Sequence, residues 1–474
     1  MIVKTLLPAI GLTSVAFCCS SCGTDNRHFH NRPNVLFILA DDMGYGELSC
    51  FNPSTPVQTP NIDRIAQAGV KMTQAYAAPV SSPTRASFLT GRFAHNVGVY
   101  GNFDGTSPGI GPQRRCFAEE MQAEGYQTSW FGKWHQGWDL INHPANNGFD
   151  KAFGFLGGMH DYYDPAEGSH YSGGPFAKHA YVFDGFRQIN DMDYLTIELT
   201  DQFIDYIDQI DPNKPFFTYL SYNAPHTPFQ APEEYVQKYI SKGFDPVLAT
   251  RYAMVDVLDV QVGRILDKLH AEGLDENTLV IFMTDNGPES EKMSGGLRGT
   301  KMTVWEGGVR VPLVARLPGI IPACTENDAI CSIADMAATF ICLATGQSYS
   351  PDNQEDYLFG NGKSLMPYFM GKEGDVHDRL VFAIQLDGPV GSTPQAKKLG
   401  LFGVREGDWK LVVDKKRGID ALYNLKEDIA ERYDLSEQYP QIKDSLYQHG
   451  SEDISKASPA CGKIASNPVK HKCN

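Results

Sequence analysis

Asn34 to Ala40 reads NVLFILA, a continuous apolar run that stops abruptly at Asp41 and Asp42. A strand with one face in water alternates apolar and polar residues, so an unbroken run predicts a strand buried on both faces of a parallel sheet. Three similar runs follow. Gln127 to Phe131 leads into Lys133 and His135, Phe216 to Ser221 into His226, and Thr278 to Thr284 into Asp285 and Asn286. Between them, Leu195, Leu199, Phe203, Ile207 and Ile210 share one helical face, as do Tyr252, Val255, Asp259, Val262, Leu266 and Leu269. The β, α, β order predicts an α/β fold: a large mixed, mostly parallel sheet flanked by helices. Ligands of open α/β sheets gather at the carboxyl ends of the strands, where each of these runs delivers its polar residues. Four strand ends therefore point to one site.

After about Thr345 the texture turns to Gly, Asn, Asp and Ser. Short strand-like segments then appear at Arg379 to Gln385, Leu401 to Arg405 and Trp409 to Val413, predicting a smaller C-terminal antiparallel-sheet subdomain. A charged helix is expected near Pro440 to Tyr447 and an irregular tail after Ser451. The N-terminus has one cation, Lys4, before an apolar run from Leu6 to Phe17. That run is shorter than the roughly 20 residues a bilayer span needs, and it suits the apolar core of a signal peptide. The expected organisation is a signal peptide at 1–21, a large N-terminal domain at 33–345, a C-terminal subdomain at 346–450 and an irregular tail at 451–474. Ser20, Ser21, Cys22 and Gly23 resemble a bacterial lipoprotein signal with Cys22 as the lipidated residue, although Cys19 stands where an aliphatic residue is usual. A plain signal peptide cut nearby fits as well. Both readings predict export, to the periplasm or as a lipoprotein at the outer membrane or cell surface.

With 57 acidic and 41 basic residues the formal charge is −16, which disfavours indiscriminate binding to nucleic acid or anionic membrane. Besides those in the leader, the cysteines are Cys50, Cys116, Cys324, Cys331, Cys342, Cys461 and Cys473. None forms a C-x-x-C pair, and a scattered odd set is a poor disulfide framework and a poor zinc site. Most are expected to be small buried residues; Cys461 and Cys473 could bridge the tail.

Asp41, Asp42, Asp285 and Asn286 offer only oxygen ligands, which suits a hard divalent cation, Ca²⁺ ahead of Mg²⁺, and suits zinc poorly. Taken alone, an Asp pair at a strand end is an ordinary helix cap or turn. The segment from Ala78 to Arg92 sets Ser81, Pro83 and Arg85 at short spacing before a predicted helix, where unpaired N–H groups and the positive end of the dipole favour anionic substrates. Its plain reading is a Ser-Ser-Pro cap. Two further matches are decoys. Gly105 to Gly109 fits G-x-S-x-G, but no apolar strand precedes it and Pro108 blocks a smooth helix start. Gly362-Lys363-Ser364 resembles the end of a P-loop, but Tyr357 stands where the first glycine belongs.

Ser81-Ser82-Pro83-Thr84-Arg85 followed by Leu89-Thr90-Gly91-Arg92 resembles the signature of the type I sulfatases of the alkaline phosphatase superfamily. The other motifs follow in order: Asp41-Asp42-Met43-Gly44-Tyr45-Gly46, Gly132-Lys133-Trp134-His135, Ala224-Pro225-His226-Thr227-Pro228, Thr284-Asp285-Asn286-Gly287 and Gly299-Thr300-Lys301 with Trp305 to Pro312. Leu422 to Leu425 with Asp434-Leu435 is similar to the family's last domain. The resemblance covers Pro33 to about Tyr447. Three departures stand out. Thr84 replaces the usual Ser and keeps a hydroxyl, Gln136 replaces a commoner Leu, and the loop Gly157 to Asp161 lacks the Ser that some relatives place before its acidic pair.

The resemblance implies hydrolysis of sulfate esters by a formylglycine formed from Ser81, with Asp41, Asp42, Ser81, Asp285 and Asn286 around a divalent cation. It implies that Arg85 stabilises the reacting group, Lys133 and Lys301 clamp the sulfate, His226 protonates the leaving oxygen and His135 helps expel sulfate afterwards. A Ser at the modified position resembles the radical S-adenosylmethionine maturation route, so a maturase acting before export is the implied partner. Aromatic residues between Asn147 and Phe186, including Phe149, Phe153, Phe155, Tyr162, Tyr163, Tyr171, Phe176 and Tyr181, could stack on sugars or belong to the core. The expected substrate is a sulfated glycosaminoglycan, mucin or algal glycan; the sequence does not fix the sugar or the O-position. Two other readings stay open: a phosphatase or phosphodiesterase with unmodified Ser81 as nucleophile, and a non-catalytic glycan-binding lipoprotein.

Overall fold

Every residue of strand β1 (Asn34–Ala40) is buried. Val35, Phe37 and Leu39 enter the core on one face of the sheet, and Leu36, Ile38 and Ala40 enter the core on the other, which is why its sequence runs apolar without alternation. Fully burying each large side chain contributes about 1.5–3 kcal/mol, so this strand anchors both layers. The computed structural model describes residues 32–103, 109–110, 115–166, 181–346, 360–385 and 400–456. The leader with Cys22, the decoy at Gly105 to Pro108, Tyr171, Phe176, Tyr357, and the end of the tail with Cys461 and Cys473 lie outside them.

The remaining strands are β2 (Val70–Tyr76), β3 (Gln127–Lys133), β4 (Lys151–Phe155), β5 (Phe183–Asp184), β6 (Arg187–Gln188), β7 (Phe216–Ser221), β8 (Thr278–Thr284), β9 (Arg310–Arg316), β10 (Thr325–Asn327), β11 (Cys331–Ser332), β12 (Arg379–Ile384), β13 (Leu401–Glu406), β14 (Trp409–Asp414) and β15 (Ile419–Asn424). The large sheet has the order β10-β2-β9-β8-β1-β7-β3-β4-β5-β6, with β11 beside β2. It is mixed and mostly parallel. β1 lies between β7 and β8, parallel to both, and β3 is parallel to β7 and β4, whereas β9 runs antiparallel to β8 and β2. The carboxyl ends of β8, β1, β7 and β3 therefore lie side by side.

The helices are α1 (Pro60–Gln67), α2 (Ser81–Thr90), α3 (Phe117–Ala123), α4 (Leu195–Ile207), α5 (Glu233–Ile240), α6 (Pro246–Ala271), α7 (Glu306–Val309), α8 (Asp335–Thr345), α9 (Met366–Phe369) and α10 (Pro440–Ser455). Side chains from α4 and α6 pack on one face of the sheet, and those from α2, α3 and α8 pack on the other around Phe37, Phe88, Phe117 and Phe340. Ile210, expected on the α4 face, lies beyond the helix end but still packs against that core. Leu365, Phe369 and Val376 also join the core beneath the large sheet.

The small sheet, β12-β13-β14-β15, is antiparallel throughout. One face packs on α10, and the other presses Phe382, Val412 and Tyr423 against Tyr76, Val304, Trp305 and Val309, directly after the Lys301 segment. Two expectations are corrected here. The last helix does not stop near Tyr447, and the chain just after Ser451 is not irregular. Leu446, Gly450 and Ile454 continue one buried stripe at i, i+4 and i+8, so the helix runs to Ser455. Of the cysteines, Cys116 and Cys331 are buried, Cys50 is half-buried and Cys324 is exposed.

Candidate active site

Ser81 is the first residue of α2, and the extended backbone of Val80 delivers it to the ends of β1 and β8. Its hydroxyl oxygen lies 3.1 Å from Asp41 Oδ1, accepts from Lys133 Nζ at 3.0 Å, and is in close contact with Asp285 Oδ2. Lys133 Nζ also binds Asp41. Arg85, one helical turn on, donates to Asp285 Oδ2 at 3.0 Å, to the Lys133 carbonyl at 3.0 Å and to the Tyr219 hydroxyl at 3.1 Å, and also reaches Ser221. Thr84 keeps a hydroxyl that donates to the Asp285 carbonyl at 2.6 Å and accepts from the Ala78 amide at 2.9 Å, so the departure from Ser preserves a tie between α2 and β8.

Asp42 adopts a left-handed conformation at φ 64, one that Asp tolerates better than most residues. Arg251 of α6 donates to the Asp42 carbonyl at 2.6 Å and forms a buried ion pair with Glu47. The Asp42 carboxylate accepts from Asn286 Nδ2 at 2.7 Å and from Lys301 Nζ at 2.7 Å, with His226 Nε2 at 3.6 Å. The Asn286 amide also donates to the Gly287 carbonyl at 2.9 Å, which leaves Asn286 Oδ1 buried with no hydrogen-bond partner. Asp41, Asp42 and His226 can each place a ligand atom within 4.8 Å of the others. Three carboxylates and a spare amide oxygen suit a hard divalent cation, and the unsatisfied Asn286 oxygen is the atom such an ion would complete.

The two histidines are held in different tautomers. His226 Nδ1 donates to the Thr227 carbonyl at 2.6 Å, which turns Nε2 toward the site. His135, at φ 55, donates from Nε2 to the Phe103 carbonyl at 3.2 Å, so its buried Nδ1 carries an unused lone pair. A Cβ on Gly158 would come within 2.6 Å of His135 Nε2, so only glycine lets that loop close over the ring.

Burial, reinforced by Asp285, pushes the Asp41 carboxyl up to about 7. Burial also works against the charge of Asp42, but Lys301 and His226 outweigh it and hold that carboxyl below its ordinary range. Burial pushes His226 down to about 3, and burial with Lys133 and Arg85 holds His135 well below the usual histidine value. Both imidazoles are neutral in this state. An anion bound beside His226 would raise its proton affinity, as opposite charge does for any base.

The sulfatase family model matches residues 33–346. The chain belongs to the sulfatase family. It is a sulfuric ester hydrolase of the alkaline phosphatase superfamily, and the large sheet with its small antiparallel partner is that family's fold. The chain is 26% identical over 531 residues to an uncharacterized sulfatase of Schizosaccharomyces pombe, covering 88% of this chain and 92% of the relative. It is 32% identical to arylsulfatase J of Mus musculus, covering 67% of this sulfatase but about half, 53%, of the mouse protein. Among solved structures, Ps i-CgsB in complex with k-i-k-neocarrahexaose superposes with a TM-score of 0.79 at 28% identity, covering 90% of this chain and 94% of that one.

All ten residues singled out from the sequence converge here: Asp41, Asp42, Ser81, Arg85, Lys133, His135, His226, Asp285, Asn286 and Lys301. Sequence reasoning missed the residues that hold them. Tyr219 and Ser221 of β7 fix Arg85, and Arg251 fixes Asp42. Ser82 donates to the His135 carbonyl at 3.0 Å and accepts from the Phe103 amide at 3.0 Å. Gln136 donates to the carbonyls of Ser82 and His135 at 3.0 and 2.7 Å. Ser82 and Gln136 stand within the motifs, and Arg251 left a signal as a charge next to the apolar stripe of α6, but none of the three announces a holding role. Of the aromatic residues, Phe149, Phe153, Phe155 and Tyr162 are core, whereas Tyr163 is exposed.

Proposed function

We propose that this sulfatase removes O-sulfate groups from sugars of sulfated glycans, using a formylglycine made from Ser81 and a bound divalent cation, Ca²⁺ by its oxygen donor set. The observation that carries the reading is the Ser81 hydroxyl, buried at the first residue of α2 among Asp41, Asp285 and Lys133. When present, the formylglycine hydrate supplies the attacking hydroxyl and the cation lowers its pKa and polarises the sulfate oxygens. Asp41, Asp42, Asp285 and the free oxygen of Asn286 would hold that cation. Lys133 and Lys301 neutralise the sulfate oxygens, and Arg85 keeps Asp285 aimed at position 81. His226 Nε2 carries the proton to the leaving oxygen once the anion is bound, and the His135 Nδ1 lone pair accepts a proton from position 81 to release sulfate. The described buried carboxylates of the site, Asp41, Asp42 and Asp285, are matched by Lys133, Lys301 and Arg85, so a divalent cation makes the site net positive, as an anionic substrate needs.

Sugar sulfates as substrates draw support from the relative solved with an oligosaccharide. Lys133 and Lys301, paired with Asp41 and Asp42, supply cationic groups suited to the lower charge of a sulfate monoester and argue against the two-metal phosphatase reading. The complete set of proton-carrying and anion-holding side chains argues against a purely binding role. Activity against sulfated mono- and oligosaccharides should exceed activity against matched phosphate esters; faster turnover of the phosphate esters would favour the phosphatase. Export, with Cys22 as a lipidated N-terminus, is read from the leader, and N-terminal sequencing of the mature chain tests it. Among the described residues no helix is long and apolar enough to cross a membrane.

A further inference from the structure

The turn that carries His226 is held from outside by the loop that follows β4. Tyr162 is fully buried, and its ring stacks on Tyr194 with centroids 5.4 Å apart. Its hydroxyl lies 2.9 Å from the carbonyl of Asn223 and 2.9 Å from the carbonyl of His226, spanning the turn end to end. The far end is tied down as well. Gln230 accepts from the Tyr162 amide at 2.9 Å and donates to Asp161 Oδ2 at 2.7 Å, and its carbonyl accepts from the Tyr194 hydroxyl at 2.8 Å. The His226 imidazole is not held by another side chain in the same way. Its hydrogen bonds among the described residues go to Thr227, its own neighbour: the carbonyl at 2.6 Å and the hydroxyl at 3.4 Å. The ring's place is therefore set by the backbone of residues 223–230, with Asp42 Oδ2 3.6 Å from Nε2, and that backbone is held by Tyr162, Gln230 and the Asp41 amide, which donates to the Ala224 carbonyl at 3.1 Å.

We infer that Tyr162, seated by the Asp161 and Gln230 side chains, is a positioning residue for His226 and so acts on protonation of the leaving oxygen rather than on sulfate binding. The inference rests on the proposed role of His226. The Tyr162 hydroxyl bonds to the His226 turn, whereas the reacting ends of Ser81 and Lys133 are held by the carboxylates of Asp41 and Asp285. Loss of the hydroxyl leaves the Asn223 carbonyl with its bond from the His226 amide at 2.9 Å and takes from the His226 carbonyl the donor it now has. Nε2 then drifts from the leaving oxygen while the sulfate clamp stays in place.

The experiment uses the full chain matured with its formylglycine, with rates expressed per formylglycine. Tyr162→Phe should lower kcat/KM for a sugar sulfate, whose alkoxide must be protonated, by about tenfold, a fraction of what a general acid contributes in full. On 4-nitrophenyl sulfate, whose leaving group needs no proton, it should change the rate less than about twofold. In a His226→Ala background Tyr162→Phe should cost nothing further, because the two act as one unit. Gln230→Ala loosens the same clamp without touching the buried ring and should show the same substrate selectivity. Hydrogen exchange of the peptide covering 223–230 should quicken in Tyr162→Phe while the peptide carrying position 81 is unchanged. Equal losses on both substrates, no loss on either, or additive losses with His226→Ala would overturn the inference. If His226→Ala itself loses equally on both substrates, the assignment of His226 fails first and takes the inference with it.

Discussion

Lys410 belongs to β14, outside the active site. Its ammonium group is fully buried between the two sheets, 2.7 Å from Glu306 Oε1 and 3.0 Å from Glu431 Oε1. Glu306 also accepts from Arg310 at 3.2 Å and from Tyr76 at 2.8 Å, and Glu431 accepts from the Glu306 amide at 2.7 Å. Lys410→Met keeps the side-chain volume and leaves two carboxylates facing each other without their shared cation. Breaking a buried pair from one side costs about 3–5 kcal/mol, which for a chain of this size lowers Tm by about 5 °C. The pH dependence carries the diagnosis. Burial, opposed by Lys410 and aided by Glu306, already pushes Glu431 up to about 7 from 4.5. A carboxyl raised on folding binds its proton more tightly in the folded state, so its contribution is present below the unfolded value and lost as pH rises through the folded one. Removal of Lys410 raises that value further. Thermal melts should therefore find the variant's deficit roughly halved at about pH 5, where one carboxyl is protonated, and full at about pH 8. Adding Glu431→Gln should recover most of the loss at the higher pH. An equal deficit at both pH values, or none, would refute the reasoning.

Two further predictions follow from other parts of the molecule. Burial pushes His95 down to about 4 from 6.5, so the folded state favours its neutral form, and stability should fall as pH drops through that window by up to about 3 kcal/mol; His95→Gln should flatten the acid side of the denaturant-midpoint profile. Exhaustive chelation should abolish activity and Ca²⁺ should restore it, while Asn286→Ala should require about tenfold more Ca²⁺ for half-maximal activity; stoichiometric zinc in the native enzyme, or full activity after chelation, would contradict the oxygen-ligand assignment.

The strands that bear the site were legible because burial on both faces writes itself as an unbroken apolar run. β1, β7 and β8 have the bounds their sequences predict. β3 runs two residues longer, to Lys133, because its pairing with β4 continues through Gly132 opposite Gly154 and Lys133 opposite Phe155. β2 was not legible. It mixes Lys71, Thr73 and Gln74 with apolar residues and is only partly covered. β9 was masked by Pro312, which normally argues against an inner strand. The register of β2 shifts between Met72 and Ala75, opposite Pro312, so the missing N–H falls at a bulge. Asp41, Asp42, Lys133, His135, His226, Asp285 and Asn286 could be named because they end or follow β1, β3, β7 and β8, whereas Ser81 and Arg85, in α2, and Lys301, ahead of α7, were carried by motif resemblance. The holding roles of Tyr162, Gln230, Arg251 and Ser82 could not be read, since they act through backbone carbonyls and amides whose positions only the fold brings together.

The central claim is that Ser81 reacts only after conversion to formylglycine. A plain serine hydroxyl is a weak nucleophile and would form a sulfate ester slow to hydrolyse, whereas an aldehyde hydrate can expel sulfate by returning to the carbonyl. Intact-peptide mass spectrometry of native, active enzyme, read beside its specific activity, tests this most directly. The Ser81 peptide should be lighter by two hydrogens in proportion to activity, and Ser81→Ala, or expression without a maturase, should give folded and inactive protein. Full sulfatase activity from protein whose Ser81 is wholly unmodified would contradict the account.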